Sequence, residues 1–207
     1  MISIPHLTLS IISMLSIGVA NLLMRFPSRR YGTRRTLVYR GLCMSALLGL
    51  GAVLTNAWVF DLKMIIFTLL LSFLGYLPLA AFVKGLSVGK VGVVTPIANS
   101  SVIVTVLFSL VFFGEVLTPG QYGGIGLIVL GIVLISINFQ DLKQSDLLDP
   151  SSGIGYALIA LVIWGIFFPL LKIPSSQLGP FMTTFLIEIG ILAWAFLHLR
   201  LHGTSSI

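Results

Sequence analysis

Two apolar runs, Val91–Phe113 and Gly120–Phe139, stand only six residues apart, at Gly114–Pro119, and no other feature restricts the fold as much. Each run holds 20 residues or more, enough to cross a ~30 Å hydrocarbon layer at ~1.5 Å per residue. Gly114 can take the left-handed backbone that ends a helix. Thr118 followed by Pro119 suits an N-cap and a first helical position, where the missing N–H of Pro is no loss. The stretch is therefore a tight hairpin of two membrane-crossing helices.

The rest of the chain has the same character. It is 57% hydrophobic and 9% charged over 207 residues, where a soluble domain carries roughly 25% charged residues. One core of this size could not hide so much apolar surface, so the fold class is an all-α, multi-pass membrane bundle. The formal charge of +6 would suggest nucleic acid as a partner for a soluble protein; here it reports topology, and no nucleic acid is expected. Cys43 is the only cysteine, which rules out an intrachain disulfide. No HExxH motif is present, and His6, His198 and His202 lie outside the spans or at an edge. Gly85–Lys90 is one residue short of phosphate-loop spacing and is followed by Val91, where a hydroxyl would have to hold magnesium. No catalytic set, no metal site and no cofactor is expected, and the chain does not read as an enzyme.

Seven spans follow in order: Leu7–Met24, Leu37–Leu54, Met64–Val83, the opening pair as spans 4 and 5, Gly153–Leu171 and Phe181–Leu199. The first lacks the positive leader of a signal peptide and reads as a retained helix. Arg25–Arg40 holds six arginines and reads as a loop anchored at lipid headgroups. Gln140–Ser152, with Asp141, Lys143, Asp146, Asp149 and Pro150, reads as a solvated connector.

Self-comparison exposes a repeat. At an offset of 147 residues and without a gap, residues 18–36 lie over residues 165–183. Identities fall at Gly18/Gly165, Leu23/Leu170, Pro27/Pro174, Ser28/Ser175, Gly32/Gly179 and Thr36/Thr183, and Arg25 meets Lys172. Five spans separate the two starts, so the second copy enters from the opposite side. Such an inverted repeat places a substrate site near midplane between its halves. Of the twelve Lys and Arg, ten lie in odd-numbered loops or after span 7, and only Lys63 and Lys172 lie elsewhere. By the positive-inside rule those loops are cytoplasmic and the N-terminus is outside.

Several polar residues stand out against this background. Glu188 is the only acid well inside a span. A midplane carboxylate costs at least ~2.5 kcal/mol, so it faces a cavity or a partner and is the candidate for proton coupling. Asn99, Ser101, Thr105 and Ser109 run along span 4, and Pro96 frees a carbonyl one turn earlier. Asn21 and Trp164 flank the aligned Gly18/Gly165 region. Together Asn21, Pro96, Asn99, Ser101, Thr105, Trp164 and Glu188 are the candidate cavity residues. Glu115 precedes span 5, where the helix dipole favours an acid. Gly120 and Gly124, at GxxxG spacing, offer close packing with Gly131.

Pro96, Gly114-Glu115, Gln121, Gly124 and Gly131, with Trp164-Gly165 and Lys172 at the start of the second copy, resemble the EamA-like transporters of the drug/metabolite transporter superfamily. The resemblance implies a 5+5 inverted-repeat fold, with 1–139 as a first repeat, 140–152 as connector and 153–207 as the start of an incomplete second repeat. It implies a secondary transporter of small metabolites or drugs, an exporter working by alternating access in the plasma or inner membrane. The lipid bilayer and a small-molecule substrate are then its partners, and a homodimer or a missing C-terminal half would complete the cavity. A non-transporting membrane scaffold, or the regulatory remnant of a truncated transporter, is the alternative. Family members are expected to keep the N-terminus in the cytoplasm, opposite to the charge count.

Overall fold

The computed structural model describes residues 4–56, 58–136 and 152–202. Among them every regular element is an α-helix. They are α1 (Ile4–Tyr31), α2 (Thr33–Leu54), α3 (Leu62–Val88), α4 (Val91–Asn99), α5 (Ser101–Phe112), α6 (Pro119–Ser136), α7 (Ile154–Leu170) and α8 (Lys172–His202). Among the described residues, five segments are long and apolar enough to cross a membrane: Thr8–Tyr31, Thr33–Leu54, Leu62–Val88, Val91–Phe112 and Lys172–Leu201. Ile154–Leu170 is a shorter apolar helix. The chain is thus a multi-pass helical membrane protein. Large apolar side chains such as Leu9, Met14, Leu47, Leu70 and Leu127 point outward, as lipid-facing residues must.

Most span boundaries shift outward from those expected. Arg25–Arg40 is not a loop: α1 runs on to Tyr31 and α2 starts at Thr33, so a single residue, Gly32, makes the elbow. Its backbone, φ 80° and ψ 161°, belongs to a region that is essentially glycine-only. Span 7 likewise starts earlier, at Lys172, and kinks at Gly179 with φ 76° and ψ 163°. The two glycines aligned by the repeat therefore adopt one backbone conformation. Span 4 is two helices, divided at Ser100. Pro96 cannot donate to the helical ladder, and the Ser100 N–H and hydroxyl both turn back to the Pro96 carbonyl, at 3.0 and 2.9 Å. The connector expected at 140–152 lies, apart from Ser152, outside the described residues.

Local chemistry explains the remaining ends. Asp61 caps α3, its carboxylate accepting from the Met64 N–H at 3.2 Å. Thr118 and Gln121 form a capping box at α6: the Gln121 amide oxygen accepts from the Thr118 N–H at 2.8 Å, and the Thr118 hydroxyl accepts from the Gln121 N–H at 3.4 Å. Gly114 is left-handed, with φ 62°.

α3 is the hub. α7 and α8 pack on it from the second copy, and α1 and α2 pack on it from the first. One core joins Leu37, Val38, Leu71, Leu79, Val83, Phe167, Ile187 and Ile191 across α2, α3, α7 and α8. A second joins Phe82, Leu86, Val94, Ala98, Ala157 and Ala160 across α3, α4 and α7.

The two elbows sit at opposite ends of the bundle. Arg29, below the first elbow, donates to the Gly89 carbonyl at 3.0 Å in the α3–α4 turn, and Gly89 in turn packs on Ser152 and Gly153. The second elbow lies with the end of α2, the start of α3 and the α5–α6 turn: Leu178, Met182 and Leu186 pack with Met64 and Ile65, and Phe181 lies against Gly51.

Candidate functional site

α2 and α8 cross closely because glycines let them. Leu192 lies against Gly41, Phe185 against Gly49 and Phe181 against Gly51, so the two helices run antiparallel. Beside the Gly41 contact, Arg40 of α2 meets Glu188 of α8. The guanidinium holds the carboxylate with both ends, Nη1 to Oε2 at 2.8 Å and Nη2 to Oε1 at 2.9 Å. Glu188 is buried, and Arg40 lies roughly 10 Å into α2 at ~1.5 Å per residue. A bidentate fork of this kind satisfies both carboxylate oxygens, the condition for holding charge away from water.

A polar stripe on α3 continues the seam. Thr68, Ser72 and Tyr76, spaced by four, are buried on one face. Thr68 and Ser72 return their hydroxyls to their own helix, at the Met64 carbonyl (2.6 Å) and the Leu69 carbonyl (2.5 Å). Ser72 sits against Gly190, and the Tyr76 hydroxyl is hydrogen-bonded to His198 Nδ1 of α8. Charge and hydroxyls thus line the α2–α3–α8 contact, where the two copies meet.

A second polar group lies where the broken span meets α7. Gly165 lets α7 approach Val104 and the Ser101 carbonyl so closely that a methyl there would overlap Val104. Ser101 is buried. Thr95 and Thr105 each hold a buried hydroxyl with no hydrogen-bond partner among the described residues, and so do Ser45 and Thr183. Such a hydroxyl is costly to leave unmade, by about 1–3 kcal/mol, and invites a ligand or water. Trp164 bridges the two cores, 5.3 Å from the Phe82 ring and 6.1 Å from that of Phe168.

The expected cavity residues therefore divide. Ser101 lies at the α5–α7 contact with Thr105 one turn on, Trp164 turns toward Phe82 of α3, and Pro96 is half-buried one turn before the break. Glu188 lies in the other seam. Asn21 is half-buried on α1, and Asn99 is exposed. Arg40 falls inside span 2, and an arginine within an apolar run is the signal that Glu188 has a partner. Thr95 and the α3 stripe carry no sequence signal of their own, because a Ser or Thr in a helix can satisfy itself.

The end of the first hairpin meets the start of the second copy. Lys172 donates to Glu115 at 2.5 Å, and its ammonium lies 5.5 Å from the centre of the Phe113 ring. Glu115 is thus held by a distant cation in addition to its position before α6. A methyl on Gly120, Gly124 or Gly131 would meet no neighbour among the described residues, where α6 packs mainly on α4.

Residues 5–137 match the model of a family described as the EamA-like transporter family, more than half of the chain. No curated protein and no solved structure matches.

Proposed function

The chain belongs to the EamA-like transporter family, and from that premise we propose that it is a secondary transporter of small metabolites or drugs, exporting them from the cell by alternating access. The observation that carries this reading is the buried Arg40–Glu188 pair at the antiparallel crossing of α2 and α8. An ion pair in the apolar layer is expensive to maintain. Transporters with inverted repeats place their binding and coupling groups at such a crossing.

In this reading Glu188 takes up the coupling proton. Protonation removes the acceptor from Arg40 and loosens the contact between the two copies. Substrate then engages the unpaired hydroxyls of Thr95 and Thr105 on the broken span, with Trp164 as its apolar wall. The basic end of the bundle faces the cytoplasm, by the positive-inside rule, in the plasma or inner membrane.

The test is flux. The full chain in liposomes carrying a pH gradient is offered a panel of amino acids and of cationic and aromatic drugs. Gradient-driven movement of at least one compound is expected, and Glu188→Gln should retain binding while losing its dependence on the gradient. Folded protein with no flux for any compound would leave the scaffold alternative standing.

A further inference from the structure

One face of α1 changes chemistry along its length in the way an amphiphile does. Val19, Leu22, Leu23 and Phe26 recur at helical spacing and are all exposed. The same stripe continues one turn later with the exposed guanidiniums of Arg29 and Arg30. At that end lies an open hollow of about 610 Å³ lined by Arg25, Phe26, Pro27, Arg29, Arg30 and Tyr31. We propose that this hollow is a binding site for the phosphodiester headgroup of an anionic phospholipid, whose acyl chains lie along Val19–Phe26.

Three features make it a built site and not a diffuse basic surface. Arg29 is held by the Gly89 carbonyl at 3.0 Å, which fixes it with four N–H bonds still to give. Arg30 lies 5.4 Å from the centre of the Tyr31 ring, which orders a second guanidinium. The surrounding end of the bundle carries Arg34, Arg35, Lys84, Lys90 and Arg200, and no acid among the described residues. The opposite end carries Asp61, Lys63, Glu115 and Lys172, which balance. Guanidinium forks suit a phosphate, and basic pockets at helix ends are where anionic headgroups settle. A free phosphate could satisfy the arginines but would leave the apolar half of the stripe unused, which is why the lipid is the occupant. The connector acids Asp141, Asp146 and Asp149 are the rival for these guanidiniums.

The full chain is placed in nanodiscs of phosphatidylcholine containing a minority of phosphatidylglycerol, released, and weighed intact by native mass spectrometry. Retention of one phosphatidylglycerol in preference to phosphatidylcholine is expected. It should weaken roughly a hundredfold in Arg25→Gln/Arg29→Gln/Arg30→Gln, at about fivefold per arginine, and not in Lys63→Gln at the other end. Because Arg29 also ties α1 to the α3–α4 turn, Arg25→Gln/Arg30→Gln is the second variant, with a weakening of roughly twenty-five-fold. Hydrogen exchange of the wild type should slow at residues 25–31 in phosphatidylglycerol discs alone. Equal retention by wild type and the double variant would overturn the site. Displacement of the lipid by millimolar inorganic phosphate would make the ligand a free anion. Retention that appears only after Asp141→Asn/Asp146→Asn/Asp149→Asn would show that the chain's own acids fill the hollow.

Discussion

The two copies of the repeat have nearly the same elbow and opposite surroundings. Gly32 and Gly179 share a backbone conformation to within a few degrees, φ 80° and ψ 161° against φ 76° and ψ 163°. Pro and Ser precede each at the same spacing. Yet Gly165 is pressed against Val104, whereas its mate Gly18 faces open space. Lys172 is paired with Glu115, whereas its mate Arg25 lines an open hollow at an end without acids among the described residues. Arg40 and Glu188 have Ile187 and Gly41 as mates, so the crossing carries one ion pair where strict symmetry would have given two. The lesson is that a short motif sets a local bend, while the position of a copy in the bundle decides what that bend touches.

The sharpest way to break the comparison is at the crossing. Glu188→Ala should destabilise the protein by about 3 kcal/mol, toward the lower end for a broken buried pair because the Arg40 side chain is 23% exposed. Arg40→Leu/Glu188→Leu should recover most of that loss in thermal unfolding. If the double variant is no better than the single one, the pair is not what holds α2 to α8.

The elbows come next. Gly32→Ala and Gly179→Ala should each cost about 1–3 kcal/mol, because a methyl meets no neighbour at either position and only the backbone conformation is strained. Losses differing by more than about 2 kcal/mol would mean that the two bends are not equivalent. Where the surroundings differ, the same substitution should separate the copies. Gly165→Ala overlaps Val104 and should cost about 1–2 kcal/mol, whereas Gly18→Ala should stabilise by about 0.5 kcal/mol through helix propensity alone.

The smallest effect belongs to the exposed pair. Lys172→Gln should cost about 0.2–1 kcal/mol, a loss that disappears in high salt, since the Lys172 and Glu115 side chains are 60% and 38% exposed. A loss as large as that at Glu188 would remove the distinction between the two pairs.

By itself the sequence determined the class of the fold, the hairpin and its caps, and the like spacing of Pro, Ser and Gly at two places. These follow from short-range chemistry: twenty apolar residues suit only a membrane or a core, Thr118 and Gln121 cap one another across three residues, and Pro-Ser with Gly at a fixed spacing bends the chain alike wherever it occurs. Span ends are less legible, because a run of arginines suggests a loop where the chain needs only Gly32 to turn. Tertiary structure alone decided the partners. Arg40 and Glu188 are 148 residues apart and Glu115 and Lys172 57 apart, and no local pattern states which cation reaches which acid. It also decided that Trp164 joins two cores and that Gly120, Gly124 and Gly131 of α6 meet no neighbour among the described residues. A helix declares its own face, but the neighbour on that face is chosen by packing the whole bundle.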